Sequence, residues 1–386
     1  MAEAEIRIMI SAGEESGDLH GAALIREAAR RGLAVSFFGL GGDRMMEAGC
    51  RLLAHARETA VMGIAEVLGQ ARRLLALRRR IAEAAVAERP DALVLIDSPD
   101  FNFRLARRAS EAGIPVVYYI CPQIWAWRQG RIRFLARHTR RRLLILPFEE
   151  EFYRSRGVTA DFVGHPLLDE IVPLPRAEAR AALGLPDGPL LALLPGSRRG
   201  VFARLAPVML EAAAVLAGAR PGLRVCVALA PTLPPELAER HLSAAPGILR
   251  GRLDSVTGRS QTVLNAASAA LIASGTSAAE AAVLGTPAVV CYRTSPASYL
   301  VAKLLVKTGF ISIPNLVLGR AILPELVQGG ATPGNISAAA APFLDGGPEL
   351  EAAESGLREV TRALGGPGAS ARALDIVLRE AGAGAR

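Results

Sequence analysis

With 386 residues the chain is too long for one typical hydrophobic core and suits two domains, and its 51% hydrophobic content with 38 Gly and 25 Pro fits a globular protein rich in turns. The formal charge of +8 comes almost wholly from arginine, since Lys303 and Lys307 are the only lysines, and it favours anionic partners such as nucleotide phosphates or phospholipid headgroups. Nucleic acid is set aside, because neither aromatic platforms nor a nucleic-acid module is recognisable.

In chain order, Ile6–Ser11 reads as a first strand and His20–Arg31 as a helix. The intervening Ala12-Gly-Glu-Glu-Ser-Gly-Asp18 has a dinucleotide-like position but the wrong chemistry. Glu14, Glu15 and Asp18 repel a pyrophosphate, and there is no G-x-G-x-x-G. Carboxylates at a sheet's carboxyl edge suit hydroxyl-rich ligands; otherwise Ser16 or Asp18 caps the helix. Val35–Leu40 reads as a second strand. Within residues 61–81, Val61, Met62, Ile64, Val67 and Leu68 precede Arg72, Arg73, Arg78, Arg79 and Arg80. A helix apolar on one side and Arg-rich on the other is either a membrane-surface element or a core-facing helix with a solvated basic face.

Pro90–Asp97 reads as a buried strand entering Asp97-Ser-Pro-Asp-Phe-Asn102, followed by a helix over Phe103–Ala112. Ligands of open α/β sheets bind beyond the carboxyl ends of strands, where Asp97 falls. Pro99 stiffens the turn and is expected to hold Asp97 and Asp100 close together; such a pair raises one pKa, which suits a general base. Asp100 has the alternative role of helix N-cap. Val116–Ile120 is a strand leading to Cys121-Pro-Gln-Ile-Trp-Ala-Trp-Arg-Gln-Gly130, which holds both tryptophans, Trp125 and Trp127, beside Arg128. This cluster stacks on a sugar, lines an acyl chain or anchors a loop in the core. Leu143–Leu146 is a further strand, and a helix begins at Pro147.

Four prolines in residues 170–189 mark a hinge, after which the strand-helix rhythm restarts. Leu190–Leu194 runs into Pro195-Gly-Ser-Arg-Arg199, where Gly196 and Ser197 meet a phosphate and Arg198 pairs with it, unless the turn is simply a basic surface loop. Arg224–Ala230 and a short Leu249–Leu253 are strands. Ala269–Ala273 is a buried strand ending in Ser274-Gly275-Thr276, at the opening of an Ala-rich helix. The unpaired N–H groups of that helix opening favour an anion, and Glu280, one turn in, is placed to bind a ribose diol or to be solvated. Pro287–Tyr292 is another strand, Asn315 is a further polar reader, and the tail after Ala338 is helical.

Cys50, Cys121, Cys226 and Cys291 lack paired spacing, which argues for a reduced cytosolic protein. The acidic N-terminus does not fit a signal peptide, and no apolar run approaches ~18 residues without a charge, Gly or Pro, so no spanning helix is expected. No metal-ligand constellation is found: the five histidines are dispersed and no D-x-D pair is present. Two α/β halves, the first offering carboxylates and the second phosphate binders, imply two doubly wound, Rossmann-like domains facing across a cleft.

Gly13-Glu-Glu-Ser-Gly-Asp-Leu-His-Gly21, Val61-Met-Gly-Ile64, Asp97-Ser-Pro-Asp-Phe-Asn102, Ile124-Trp-Ala-Trp-Arg-Gln129, Leu194-Pro-Gly-Ser-Arg198, Ala273-Ser-Gly-Thr276 with Glu280, and Pro314-Asn315 resemble the lipid-A-disaccharide synthases, collinearly over nearly the whole chain. The resemblance implies a GT-B fold and an inverting, metal-independent glycosyltransferase without cofactor. Its donor is UDP-2,3-diacylglucosamine and its acceptor 2,3-diacylglucosamine-1-phosphate (lipid X). It implies a peripheral protein of the inner membrane's cytoplasmic face, often a homodimer on an anionic surface. Residues 1–169 would bind acceptor and membrane, residues 170–337 the UDP-sugar, and residues 338–386 would form a helical segment.

Residue by residue, the resemblance makes Asp97 the general base, with Arg198 stabilising the leaving group. It places Glu14, Ser16, Asp18, Asp100, Asn102, Trp125 and Arg128 on the acceptor side. Gly196, Ser197, Arg198, Ser274, Gly275, Thr276, Glu280 and Asn315 fall on the donor side. Val61, Met62, Ile64, Leu68, Arg72 and Arg73 become the membrane contact. Three positions depart from the pattern or vary within it. Val201 stands where many members carry Glu, Gly130 where Lys is common, and His20 where others have an apolar residue. The rival readings are a sugar-nucleotide epimerase of the same architecture and a non-catalytic binder of nucleotide sugar or anionic lipid.

Overall fold

The computed structural model describes residues 5–59, 67–295, 299 and 308–382, with the side chains of residues 67–71 outside the description. Two compact units emerge, one formed by the chain up to Asp169 and again from Gly365, the other by Glu170–Leu364. In the first, β1 (Ile6–Ala12), β2 (Val35–Gly41), β3 (Arg51–His55), β4 (Ala92–Ile96), β5 (Val116–Tyr119), β6 (Arg141–Leu144) and β7 (Asp161–Phe162) form a sheet in the order 3-2-1-4-5-6-7. In the second, β8 (Leu190–Leu194), β9 (Arg224–Leu229), β10 (Leu253–Thr257), β11 (Ala269–Ala273), β12 (Ala288–Tyr292) and β13 (Glu325–Val327) follow the order 10-9-8-11-12-13. Every pairing in both sheets is parallel.

The reason lies in the strand sequences. In β4 all five residues are buried, and the period of two divides them: Leu93 and Leu95 join one core cluster, Ala92, Val94 and Ile96 the other. A strand apolar on both faces needs helices on both faces, which a parallel sheet supplies through its crossovers. On one side lie Leu77, Ile81 and Ala85 of the Val67–Glu88 helix with Leu105 and Ala109 of the Pro99–Glu111 helix. On the other lie Ala22, Leu24 and Ile25 of the Glu15–Arg30 helix with Leu374 and Val377 from near the end of the chain.

That last contact changes the reading of the tail. The expected single segment 338–386 is divided: the Pro333–Asp345 and Pro348–Ala363 helices belong to the second unit, while Ala369–Glu380 covers the first sheet. The first sheet needed one more apolar stripe beside the Glu15–Arg30 helix, and the chain returns to provide it. Two other expectations shift. The first helix starts at Glu15 rather than His20, putting Ser16 and Asp18 within its first turn, where acidic side chains meet the positive end of the helix dipole. The strand read at Leu249–Leu253 is a 3-10 turn followed by a strand that only begins at Leu253. The Arg199–Ala219 helix is long and apolar enough, by length and composition alone, to cross a membrane. Arg204, Pro207 and Glu211 had hidden that run in the sequence. Leu205, Met209, Ala213 and Leu216 of this helix pack into the core of the second unit.

Strand order also fixes where a ligand belongs. In each sheet the connections diverge at one place, between β1 and β4 and between β8 and β11. A crevice opens beyond the carboxyl ends at such a switch point. The turns leaving those four strands are Gly13-Glu14, Asp97-Ser98, Pro195–Arg198 and Ser274–Thr276.

The returning helix hangs on one side chain. Asp169 accepts hydrogen bonds from the N–H groups of Gly368, Ala369 and Ser370, three of the orphan donors at that helix start. Asp169→Ala is expected to cost about 1–2 kcal/mol by chemical denaturation. Hydrogen exchange should quicken across residues 369–380 and stay unchanged in the second unit.

Candidate active site

At the first switch point the chain turns from β4 into the next helix through two consecutive residues with positive φ, Asp97 and Ser98, each at +43°. Neither is glycine, and the left-handed region costs about 1–2 kcal/mol for each such residue. Three hydrogen bonds from two side chains hold the turn. Asn102 Nδ2 donates to the carbonyls of Asp97 (2.8 Å) and Ile96 (3.1 Å), and the Tyr118 hydroxyl donates to the Asp97 carbonyl (2.7 Å). Asn102 Oδ1 accepts from Ser11 Oγ at 2.7 Å.

The Asp97 carboxyl is half-buried, and burial pushes its pKa up to about 6, with the Glu14 carboxylate adding in the same direction. The Ser98 N–H and the His20 ring pull it partly back. Glu14 itself is exposed and takes a long hydrogen bond from Ser98 Oγ, 3.5 Å. His20 also neighbours His165, which burial drives down to about 3, so that this ring stays neutral.

Four expected acceptor-side residues turn out differently. Asp100 does not pair with Asp97: Pro99 already starts the helix, which carries Asp100 onto an exposed face against Arg131 (2.9 Å) and Arg128 (3.9 Å). The carboxylate that raises Asp97 comes instead from Glu14, on the neighbouring strand's turn. Asp18 is buried and its oxygens accept the N–H groups of Gly42 (2.6 Å), Met45 (3.0 Å) and Arg44 (3.1 Å), capping the Asp43–Glu47 helix. Asn102 is fully buried in the turn just described. Trp125 faces inward, its Nε1 donating to buried Glu149 (2.9 Å) and its ring set edge-to-face on Phe148. Trp127 is the exposed member of the pair, with the Arg128 guanidinium 4.4 Å from its ring centroid. Glu14 and Ser16 remain accessible at this edge. Of the apolar patch, Val61, Met62 and Ile64 lie outside the described residues, as does the Leu68 side chain; Arg72 and Arg73 are exposed.

At the second switch point two turns leave adjacent parallel strands. Gly196 has φ +105°, and a Cβ there would lie 2.8 Å from Val201 Cγ1 and 3.4 Å from the Ala273 side chain. Only glycine fits. Arg198 is the exposed N-cap residue of the Arg199–Ala219 helix, beside exposed Ser197. Gly275, φ +150°, precedes the Thr276–Val283 helix and lies with Thr276 at the surface. Two helix N-termini and an arginine thus share one edge, an arrangement suited to a diphosphate. Burial raises the pKa of Glu280, one turn into the second helix, while Gln261 Nε2 donates to it at 3.4 Å.

Two expected donor-side residues serve the framework. Ser274 Oγ donates to the Ile311 carbonyl (3.0 Å). Asn315 is fully buried with both ends of its amide engaged: Nδ2 donates to Leu323 O and Glu325 Oε1, and Oδ1 accepts from the N–H groups of Ile322 and Leu323. Glu325, which sequence reasoning missed, also accepts from the N–H groups of Ile311 and Ser312 and from Ser312 Oγ. Its signal would have been a carboxylate on a short edge strand, which has no fixed spacing to what it holds. Among the described residues no group of three or more His, Cys, Asp or Glu is placed to hold a metal ion.

Comparison with known proteins bears on this geometry. The family described as lipid-A-disaccharide synthetase (LpxB) matches residues 8–373. A lipid-A-disaccharide synthase of Anaeromyxobacter sp. (strain K) is 46% identical over 373 residues, covering 96% of this chain and 97% of its own. The chain belongs to the lipid-A-disaccharide synthase family. Among solved structures, MurG of Acinetobacter baumannii superposes with a TM-score of 0.60 at 13% identity, over 97% of this chain and 100% of its own. A UDP-GlcNAc 2-epimerase of Neisseria meningitidis bound to UDP-GlcNAc does so with 0.65 at 12%, over 97% and 100%. The fold is of GT-B type. It is shared by transferase and epimerase alike, so family membership, not fold, separates those readings.

Against the family pattern, Val201 packs its side chain toward Gly196 and the second core. A glutamate's charge at this position is thereby replaced by apolar contact that shapes the Gly196 turn. Replacing Asn315 by Ala strips a buried network of its centre and leaves Glu325 without one of its donors. The expected cost is about 1–3 kcal/mol in denaturant unfolding, whereas Thr276→Ala, at the exposed helix start, should leave stability within about 0.5 kcal/mol.

Proposed function

We propose that the chain joins UDP-2,3-diacylglucosamine to 2,3-diacylglucosamine-1-phosphate, giving the β-1,6-linked lipid A disaccharide 1-phosphate and UDP. Membership of the lipid-A-disaccharide synthase family supports the reaction, and the half-buried Asp97 at a switch point carries the assignment of its base. The acceptor 6-hydroxyl oxygen attacks the anomeric carbon as its proton passes to Asp97, and the bond from that carbon to the UDP oxygen breaks. One displacement inverts the centre and needs no covalent enzyme intermediate. Arg198 and the helix starts at Arg199 and Thr276 meet the charge that develops on UDP, and Glu280 takes the ribose hydroxyls. Glu14 and Ser16 face the acceptor sugar, and Trp127 with Arg128 lies against it.

Both substrates carry acyl chains that must leave a bilayer. Val61, Met62, Ile64 and Leu68 with Arg72 and Arg73 form the membrane contact, the arginines adding attraction to anionic lipid. The epimerase reading has no use for a second sugar, so UDP release that depends strictly on added lipid X separates the two.

Incubation with both acylated sugars in detergent, read by product mass, tests the reaction. Asp97→Asn should lower kcat by about 10²–10⁴-fold with UDP affinity kept; an unchanged rate refutes the base. Because a base must be ionised, wild-type kcat should fall as pH drops through about 6. The same raised pKa means that the folded state favours the neutral acid. Asp97 therefore adds stability at low pH and loses it as pH rises from the ordinary carboxylate range through the folded value. Asp97→Asn should accordingly be more stable than wild type at alkaline pH, by about 1–3 kcal/mol.

A further inference from the structure

We propose that Ser11, Asn102 and Tyr118 form a positioning clamp that keeps the Asp97–Ser98 turn left-handed and so aims the Asp97 carboxylate. The inference rests on Asp97 acting as the base.

The clamp reaches the turn from both sides. β4 lies between β1 and β5, with Ser11 in register with Leu95 and Tyr118 with the same Leu95. From β5 the Tyr118 hydroxyl donates to the Asp97 carbonyl at 2.7 Å. From β1 Ser11 Oγ donates at 2.7 Å to Asn102 Oδ1, which turns the other end of that amide toward the Asp97 carbonyl at 2.8 Å. The same Nδ2 reaches the Ile96 carbonyl, 3.1 Å, and the Ser11 carbonyl, 3.4 Å. Asn102 therefore ties the end of one strand to the last carbonyls of the next.

Ordinary helix initiation does not account for this. Ser98 makes no side-chain cap bond, and the helix opens with Pro99, whose nitrogen carries no hydrogen and needs no acceptor. Ser11 and Asn102 are both fully buried polar side chains, placed where an apolar pair would avoid the penalty of burying polar atoms. The bonds of Asn102 and Tyr118 converge on the carbonyls of Ile96 and Asp97, where the chain enters two residues whose side chains disfavour the conformation they hold. Released, the turn relaxes toward negative φ, and the carboxylate leaves its place beside Glu14. Strained turns of this kind expose a reactive side chain at the top of a sheet in other enzymes.

Three variants test the clamp: Asn102→Ala, Tyr118→Phe, and Asn102→Ala combined with Ser98→Gly. Asn102→Ala should lower kcat roughly 10–100-fold with KM for both sugars within about twofold. The acid limb of its pH profile should move down toward the ordinary carboxylate range, since the displaced Asp97 is better solvated. Adding Ser98→Gly, which tolerates positive φ without a steric cost, should restore most of the lost kcat. Tyr118→Phe should shift rate and limb in the same directions, by roughly 3–10-fold in kcat.

Wild-type kcat in both folded single variants overturns the clamp. So does a lost kcat with an unmoved acid limb and no recovery by Ser98→Gly. If Asn102→Ala fails to melt cooperatively, Tyr118→Phe decides alone. A wild-type chain that makes no disaccharide refutes the proposed function instead. The clamp is then read from the carbon-13 NMR titration of Asp97 in wild type and Tyr118→Phe: a lower titration point in the variant supports it, and coincident curves overturn it.

Discussion

A parallel strand buried on both faces can present a polar side chain to solvent only where it ends. β4 and β11 are each five apolar residues with every position buried, and helices close both sides of their sheets. Asp97 and Ser274 are the first polar residues that either strand meets, and each begins the turn into a helix. The placement of both sets of polar turns follows from this constraint, and the strand order decides which turns become neighbours. Gly13-Glu14 meets Asp97-Ser98 because β1 lies beside β4, and Gly196 meets Ala273 because β8 lies beside β11.

The two edges then differ in charge for a chemical reason. A diphosphate needs positive potential without a wall of carboxylates, and the second edge offers two helix N-termini and Arg198. A hydroxyl to be deprotonated needs a carboxylate with spare lone pairs, and the first edge offers Asp97. The contrast with two structural carboxylates is instructive. Asp18 has three N–H donors on its oxygens and Glu325 has four donors in all. Such groups hold structure. Asp97 is half-buried beside a like charge and has far fewer compensating bonds, a condition that suits a carboxylate to act as a base.

Much of this was legible in the sequence because it depends on short-range pattern. Apolar runs of five residues gave the strands, and their polar ends gave Asp97, Arg198 and the Ser274–Thr276 turn. What failed to show depends on partners distant in the chain. Asp18 looked like a ligand group because the Gly42 turn that it caps lies 24 positions later. Asn315 looked like a reader because Glu325 and Leu323 saturate it only once the edge strand is in place. Asp100 was paired with Asp97 on proximity in sequence, whereas helical geometry separates them and brings Glu14 across from the next strand. Trp125 and Trp127 are two positions apart, and the distant Glu149 and Phe148 are what hold Trp125 inward while Trp127 stays exposed. The closing helix, Ala369–Glu380, carries an amphipathic pattern that any sheet could accept. Its choice of the first sheet rests on Asp169 and on an apolar face left open there.

The strain at Asp97 also has a reason to sit where it does. Two left-handed residues in succession persist only when several independent bonds oppose their relaxation. An edge strand such as β3 or β7 has one neighbour and could be held from one side only. β4 is the middle strand of seven, and its carboxyl end is within reach of Ser11 on one neighbour and Tyr118 on the other. Both anchors stand on strands locked by apolar cores above and below. A carboxyl group held half-buried, close to another carboxylate and in a disfavoured backbone conformation is therefore best carried by the strand with most support, beside the point where the connections diverge. The position where the connections diverge is thus also the one where the backbone can be held most firmly.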